Sequence, residues 1–284
     1  MKKIFALLLA AIMVLSLAAC GGGAEKGSTL VYGSGDYDSI NPIMNEHCEI
    51  KHLLFDSLVK LDKNGDPVAS LAESWTYDDA TLTYTFKLRS DVKWHDGEKF
   101  TADDVKFTIE AIMNPDNGSE NYPNYIEIAE IKVNSDTEIA FVLSEPNYAF
   151  LDYMTMSILP EHKLQGEDMW ESAYFKNPIG TGPYKLESWD VGQAITMVKN
   201  EEYFAGAAKI DTIIFKIVTD DNAKALQLKE GTLDLAQVTP KDAQNFKDSK
   251  DLTVYDMATA DYRGILYNFW NPYWQENGDL IPAI

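Results

Sequence analysis

The sequence is poor in cysteine and in positive charge. It has two cysteines, Cys20 and Cys48, which excludes a framework of several disulfides and leaves stability to the hydrophobic core. Its 24 basic residues are outnumbered by 45 acidic ones, the formal charge is −21, and no basic stripe follows residue 3. Nucleic acids and anionic lipid surfaces bind clustered Lys and Arg, so neither is expected as a partner.

The sequence also lacks the signature motifs of common enzymes. No G-x-S-x-G, H-E-x-x-H or P-loop pattern occurs. His95 and Asp96 are a candidate acid–base pair, but side chains adjacent in a turn rarely face one substrate. A hydrolase is therefore an alternative without a supporting motif, and we predict a protein that is not an enzyme and has no cofactor.

The composition is that of a folded globular protein. Hydrophobic residues make up 45% of the chain and aromatic residues 12%, which distinguishes it from disordered sequences. A chain of 284 residues can bury a sizeable core in one large or two ordinary domains.

The amino-terminal residues have the pattern of an export signal followed by a flexible segment. Two lysines precede an apolar run over 4–17, which is too short to cross a membrane as a helix, so we predict a signal peptide over 1–19. Leu17-Ala18-Ala19-Cys20 resembles the bacterial lipoprotein box, which implies cleavage before Cys20 and a lipid on its sulfur. Residues 20–28 would then form a flexible tether, and the folded part would lie at the outer face of the cell membrane or in the periplasm. An ordinary signal peptide with an unlipidated cysteine is the alternative.

Hydrophobic periodicity predicts an α/β lobe that is interrupted by a smaller α+β insertion. The predicted strands cover residues 29–32, 82–88, 131–133, 139–143, 184–186, 195–197, 213–217, 233–235 and 262–269. The predicted helices cover 46–60, 101–114 with a capping box of Thr101 and Asp104, 146–154 and 220–230, and a short helix opens at Pro240. Strands and helices alternate after residue 205, whereas pairing within 75–145 is mostly local.

A turn with two glycines lies at the centre of this organisation. Gly180 and Gly182 flank Thr181, and Pro183 directs the chain into a strand that begins at Tyr184. Such a turn can let a ligand approach the backbone closely, but a tight turn between packed elements is the commoner reason for the pattern.

A second candidate site consists of soft metal ligands. Met44, His47, Cys48 and His52 offer sulfur and imidazole groups within nine residues, and both suit transition metals. Their spacing matches no strong metal signature, so no metal site is predicted.

Five motifs occur in order along the chain. They are Leu71-Ala72-Glu73-Ser74-Trp75, Tyr84-Thr85-Phe86-Lys87-Leu88-Arg89, Val92-Lys93-Trp94-His95-Asp96-Gly97, Thr101-Ala102-Asp103-Asp104-Val105 and Pro178-Ile179-Gly180-Thr181-Gly182-Pro183-Tyr184. Together they resemble the extracytoplasmic solute-binding proteins of family 5, which serve dipeptide, oligopeptide and nickel ABC importers. The resemblance runs from about Leu30 to Asn268.

The resemblance implies a fold and a domain organisation. The expected fold is the first lobe of a type II periplasmic-binding-protein-like α/β structure, formed by 29–61 and 177–270, with an α+β insertion over 62–176. Members of the family are usually much longer, so we expect 271–284 to begin the crossover to a second lobe that this chain lacks. A truncated fragment without function is therefore one alternative.

The resemblance also implies a function. We expect a monomeric, lipid-anchored receptor that captures short peptides by closure of its lobes and delivers them to an ABC permease. A receptor for nickel or a metal chelate is the alternative within the family. Loops at strand ends suit the backbone of an extended peptide, which predicts these ligand-binding residues: Gly33, Ser34, Asp36, Met44, Gly180, Thr181, Gly182, Tyr184, Tyr262 and Asn268. Trp94 and His95 are weaker candidates.

Overall fold

A computed structural model describes residues 27–44 and 48–256 of the chain. Several predictions fall outside these residues: the signal peptide, the lipidated Cys20, His47, the strand at 262–269 and the segment 271–284. Within the described ranges, no helix is long and apolar enough to cross a membrane.

The strands, in chain order, are β1 (Thr29–Ser34), β2 (Val59–Leu61), β3 (Pro67–Ala69), β4 (Ala72–Asp78), β5 (Thr83–Leu88), β6 (Ile128–Ser135), β7 (Glu138–Leu143), β8 (Tyr184–Asp190), β9 (Ala194–Lys199), β10 (Thr212–Ile217) and β11 (Leu235–Ala236). The α-helices are α1 (Lys51–Leu54), α2 (Ala102–Met113), α3 (Phe150–Tyr153), α4 (Glu161–Leu164), α5 (Asp221–Glu230) and α6 (Pro240–Phe246). Single 3-10 turns lie at Pro115–Asn117, Tyr122–Asn124 and Ala173–Lys176.

The chain divides into two compact units. The first ends at Thr239 and contains the three β-sheets and α1–α5, and the second begins at Pro240 with α6. Within the first unit, one hydrophobic core includes Phe86 and Phe141 from one sheet and Ile195 and Phe215 from another. The two larger sheets are therefore parts of one packed body.

The larger sheet has five strands in the order β11-β1-β10-β9-β8. β1 pairs in parallel with β10 and β11, whereas β9 is antiparallel to both β10 and β8. The predicted ribbon over 184–197 is confirmed as the β8–β9 hairpin, which turns through Gly192 at a φ of 73°. Ile195 and Met197 are fully buried on its inner face, as two-residue alternation requires.

The second sheet has four antiparallel strands in the order β4-β5-β7-β6. Tyr84, Phe86 and Leu88 of β5 are buried, which confirms the alternation predicted for 82–88. Helix α2 packs on this sheet through Val105, Ile109 and Ile112, which are buried at helical spacing.

Helix α2 begins and ends as predicted. Thr101 and Asp104 form the capping box, in which the Thr101 N–H donates to Asp104 Oδ2 at 2.9 Å. Asp104 also accepts from Trp94 Nε1 at 3.2 Å and from the Glu161 N–H at 2.9 Å. The carboxylate of one capping residue thereby joins three segments of the chain.

The helix predicted over 46–60 is wrong over most of its length. Among residues 48–60, which the structure describes, only α1, Lys51–Leu54, is helical, because Phe55 takes an extended conformation with φ −118° and ψ 153°. The chain from Leu54 to Val59 is then buried at every residue, and β2 pairs with β3. A short apolar run that is buried on all sides has no helical or strand period, so periodicity misassigned it.

Other predicted boundaries shift in the structure. The helix at 146–154 shortens to α3, and the strand at 233–235 moves to β11. The helix at 220–230 is confirmed as α5, and its C-cap Gly231 has the left-handed conformation with φ 71°. Strand β4 was not predicted. In its central part only Trp75 and Tyr77 turn toward the core, and two apolar residues are too short an alternation to mark a strand.

Candidate functional site

One edge of the five-stranded sheet collects the carboxyl ends of three parallel strands. β1 ends at Ser34, β10 at Ile217 and β11 at Ala236, and Ser34 is the register partner of Ile217. The Val218 N–H extends this pairing by donating to Ser34 O at 2.9 Å. Ligands of open α/β sheets bind in the crevice outside such strand ends, so the loop after β1 is the candidate site.

Three predicted ligand residues, Gly33, Ser34 and Asp36, lie at this edge. Gly33 is buried, and an ideal Cβ added to it would lie 2.7 Å from Leu233 Cδ1 and 3.2 Å from Ala236 Cβ. The missing side chain therefore lets the segment of β11 pack against β1. Asp36 is exposed, and its Oδ1 accepts from the next backbone N–H at 2.9 Å.

A chain of hydroxyl and carboxyl groups supports the loop after β1. Ser34 Oγ lies 2.8 Å from the hydroxyl of Tyr37, and that hydroxyl donates to Glu49 Oε2. Burial, together with the bond to Glu49, raises the pKa of Tyr37 well above its usual range. The phenol is therefore a donor at neutral pH, and it fixes the exposed carboxylate of Glu49 beside the strand end.

The candidate metal ligands do not form a site in the described part of the chain. Met44 is half-buried against the hydrophobic core, and His52 is exposed on α1. Cys48 is 2% exposed, and burial raises the pKa of its thiol to about 11, which disfavours the thiolate that metals bind. No group of three or more His, Cys, Asp and Glu side chains among the described residues could hold a metal ion.

The glycine turn lies at the opposite edge of the same sheet. β8 runs in the direction of β1, because two successive antiparallel pairings separate it from β10. Its first residue, Tyr184, pairs with Lys199 and so lies level with the amino ends of β10 and β1. Along the strand direction, one six-residue strand, roughly 16 Å, separates this turn from Ser34, and β9 and β10 lie between β8 and β1 in the sheet. The structure does not bring the two groups of predicted residues together, and ligand contact at the turn stays a prediction.

The two glycines of the turn allow the close approach of the chain's own backbone. An ideal Cβ on Gly180 or on Gly182 would lie 2.6 Å from the carbonyl carbon of Leu54. The Gly182 N–H donates to Leu54 O at 2.9 Å, and the hydroxyl of Tyr184 donates to Ile210 O at 3.0 Å. The turn is therefore packed against the end of α1.

Thr181, between the glycines, contacts a buried carboxylate. Its Oγ1 donates to Asp56 Oδ2 at 3.2 Å and accepts from the Asp56 N–H at 3.3 Å. Asp56 Oδ1 accepts from Lys60 Nζ at 2.6 Å and from the hydroxyl of Tyr203 at 2.9 Å. The side chain of Asp56 is fully buried, so these donors replace water around its charge.

His95 holds the same turn from the other side. The Gly180 N–H donates to its Nδ1 and its Nε2 donates to Gly182 O, both at 3.0 Å. Burial lowers the pKa of His95 to about 4, so the ring is neutral at neutral pH. Asp96 instead accepts from His162 at 3.0 Å and Lys163 at 2.9 Å. The ring nitrogens of His95 are thus both engaged by backbone groups.

The remaining predicted residues, Tyr262 and Asn268, lie outside the described ranges, and their roles stay predictions. The sequence analysis missed Tyr37, Glu49 and Asp56. Asp56 interrupts an otherwise mostly apolar buried run, and a charge in such a run indicates a paired carboxylate. No local pattern joins Tyr37 to Glu49, which are 12 residues apart.

Sequence comparisons find relatives along most of the chain. A family model described as bacterial extracellular solute-binding proteins, family 5 Middle, matches residues 66–277. The oligopeptide-binding protein AppA of Bacillus subtilis is 31% identical over 95% of this chain and 54% of its own length. A putative ABC transporter peptide-binding protein of Brucella ovis is 32% identical over 76% of this chain and 42% of its own length. The chain spans about half the length of these curated relatives.

Solved structures have the same architecture. NikZ from Campylobacter jejuni in complex with Ni(L-His) is 33% identical and superimposes with a TM-score of 0.82, over 87% of this chain and 50% of that chain. AppA from Bacillus subtilis in complex with a nonapeptide is 31% identical with a TM-score of 0.74, over 79% of this chain and 46% of that chain. The predicted type II periplasmic-binding-protein fold is therefore confirmed.

Proposed function

Because the chain belongs to family 5 of the bacterial extracellular solute-binding proteins, we propose that it is a lipid-anchored receptor that captures short peptides for an ABC importer. Proteins of this family bind solutes outside the cytoplasm for transport, and they are not enzymes. We also propose that the receptor is a monomer, that its lobes close around the peptide, and that it delivers the peptide to the permease.

The observation that carries the peptide proposal is the loop after β1. The exposed carboxylate of Glu49 is held there by the buried hydroxyl of Tyr37, which also contacts Ser34, at the position where open α/β sheets bind ligands. A relative of 31% identity is an oligopeptide-binding protein whose structure contains a nonapeptide. The charge of −21 also favours ligands that carry an amino group over anions.

Glu49 supplies the first test of this edge. We expect Glu49→Gln to weaken the binding of peptides with a free amino terminus about tenfold, because one charge-assisted contact is worth roughly 1.5 kcal/mol. Titration calorimetry of the purified chain with mixed di- to hexapeptides, free and N-acetylated, measures the effect. Acetylated peptides should bind both forms equally.

Glu187→Gln is the matched control for this variant. Glu187 is an exposed carboxylate of β8, so its replacement changes the net charge equally without touching the loop after β1. Equal binding by all three forms would show that Glu49 does not contact the ligand. No binding of any peptide by the unmodified chain would contradict the proposed function itself.

The lipid anchor has a separate test. If Cys20 carries the lipid, Cys20→Ser should move the exported protein from the membrane fraction to the soluble fraction, since serine has no sulfur to acylate. Fractionation of expressing bacteria with an antibody against the folded part measures the distribution. Cys48→Ser removes the other cysteine and should leave the protein at the membrane. Membrane retention of the Cys20 variant would exclude this anchor.

A receptor for nickel or a metal chelate is the second candidate function. The observation in its favour is the likeness to NikZ, whose structure contains Ni(L-His). We propose no ligand residues for it, because Met44, Cys48 and His52 form no metal site in the described part of the chain. Calorimetry with Ni²⁺ alone and with Ni²⁺ and histidine, beside the peptide titrations, distinguishes the two candidates.

We also propose domain boundaries for the chain, based on the residues that form its two larger sheets. The five-stranded sheet draws its strands from 29–34 and 184–236, and the four-stranded sheet lies between them at 72–143. This arrangement supports a discontinuous lobe of 29–61 and 177–270 with an insertion at 62–176. Limited proteolysis that cuts first near residues 62 and 176 would support these limits, and first cuts within β8 and β9 would contradict them.

A further inference from the structure

His95 joins two parts of the fold that are far apart in sequence. Its backbone N–H donates to Gly180 O at 2.8 Å, its Nδ1 accepts from the Gly180 N–H and its Nε2 donates to Gly182 O, the last two at 3.0 Å. The loop of residues 92–98, which precedes α2, is thereby fastened to the turn that opens β8. These three hydrogen bonds are named the His95 latch.

The latch requires a neutral imidazole with its proton on Nε2. Nδ1 is the acceptor for the Gly180 N–H, so a proton on Nδ1 would place two donors 3.0 Å apart. Gly180 cannot retreat toward α1, because its Cα already lies against the backbone of Leu54. Protonation of the ring must therefore break the bond to Gly180 rather than strain it.

The charged groups around the ring do not offset this conflict. They are Lys185 of β8, Asp56 after α1 and Asp96 of the same loop. Lys60 of β2 pairs with Asp56, and His162 and Lys163 of α4 pair with Asp96. Lys185 Nζ donates to His95 O at 3.4 Å and opposes a second positive charge. Asp56 and Asp96 would favour the imidazolium, but each is already paired with a lysine.

We propose that acid releases the His95 latch: a proton on Nδ1 breaks the hydrogen bond from the Gly180 N–H and separates the glycine turn from the loop of residues 92–98. The loop belongs to the segment that carries the four-stranded sheet, and the turn leads into the five-stranded sheet. Acid therefore loosens the connection between the two sheets before it unfolds either of them. An exported receptor meets external pH directly, without the buffering of the cytosol.

Linkage gives the sign and the range of the effect. Burial lowers the pKa of His95 from 6.5 to about 4 in the folded protein, so between these values the unfolded chain binds more protons. The stability that the latch contributes is present above pH 6.5 and is lost as the pH falls through 4. One pKa unit corresponds to a factor of ten, so the contribution of His95 to the folding equilibrium constant should fall about 300-fold in total, from well above pH 6.5 to well below pH 4.

The experiment measures urea unfolding of the full chain at several pH values for the unmodified protein, His95→Asn and His162→Gln. The Oδ1 of asparagine can take the place of Nδ1 and accept from Gly180, but it does not titrate. We expect His95→Asn to lose the part of the pH dependence that His95 supplies, which is about 80-fold between pH 6.5 and 4. His162→Gln removes an exposed histidine that pairs with Asp96 but makes none of the three latch hydrogen bonds, so it should retain this dependence. Parallel curves for the unmodified protein and His95→Asn would overturn the proposal.

A second measurement needs no variant and decides the question if His95→Asn does not fold. Proton NMR of the unmodified chain follows His95 Cε1–H and the Gly180 amide during an acid titration. We expect one transition with a midpoint near pH 4 in both signals, and loss of exchange protection at Gly180 before the Phe215 amide of β10 is affected. A His95 midpoint near 6.5, or a Gly180 amide that stays protected after His95 has titrated, would overturn the proposal.

Discussion

Gly180→Ala should cost at least about 4 kcal/mol of the free energy of unfolding, enough to prevent folding of an ordinary domain. The added Cβ would lie 2.6 Å from the carbonyl carbon of Leu54 and closer still to its oxygen. Carbon atoms pack at roughly 3.5–4.0 Å, so the turn or the end of α1 must move. Either movement also breaks the hydrogen bonds of the turn to His95 and to Leu54.

Gly35→Ala is the control for this substitution. An ideal Cβ on Gly35 meets no atom within 4 Å, and Gly35 does not have a positive φ. Its replacement by alanine should change the unfolding free energy by less than about 1 kcal/mol. Urea unfolding of both variants, followed by tryptophan fluorescence, compares them directly. A Gly180 variant as stable as the Gly35 variant would show that the approach to Leu54 is not rigid.

Asp56→Ala should cost about 3–5 kcal/mol, because it removes the one carboxylate that Lys60, Tyr203 and Thr181 share. The hydroxyls of Tyr203 and Thr181 would lose an acceptor at a site from which water is excluded. Burial and the adjacent Asp56 raise the pKa of Tyr203 above its usual range, so its hydroxyl has a proton to donate. The glycine turn would keep only the bond from the backbone N–H of residue 56 to Thr181 Oγ1 and would lose the bond from Thr181 Oγ1 to the carboxylate.

Asp56→Asn separates the loss of charge from the loss of hydrogen bonds. The amide keeps one oxygen for Lys60 and Tyr203 and can donate to Thr181 Oγ1, so a smaller cost of about 1–2 kcal/mol is expected. Glu73→Ala is the control, because Glu73 pairs with Lys87 at 3.0 Å on the exposed surface and should matter by less than about 0.5 kcal/mol. Equal stabilities of the Asp56→Ala and Glu73→Ala variants would contradict the structural role of this network.

Local patterns predicted the elements whose side chains obey one period. The alternation of Tyr84, Phe86 and Leu88 marked β5, and the capping box at Thr101 marked the start of α2. Both signals depend on residues only a few positions apart, and the burial of these residues matches the element that the pattern predicts. The buried run from Leu54 to Val59 has no such period, so the helix predicted there was wrong.

The candidate site was predictable only in part. Gly33, Ser34 and Asp36 were predicted because a strand followed by glycine and polar residues marks a loop at a strand end, and their contact with a ligand stays a prediction. The partners of that loop, Tyr37 and Glu49, carry no local signature. Ligand contacts were also predicted for Gly180 to Tyr184, and the structure places these residues at the opposite edge of the sheet.

The sequence by itself determined the family, the α/β class and most of the strands, since motifs and periodicity are local properties of the chain. Tertiary structure decided what the glycine turn contacts. Asp56 meets Thr181 across 125 residues, and His95 meets Gly182 across 87. Such contacts depend on the packing of two sheets against one core, and no spacing within a single segment encodes them.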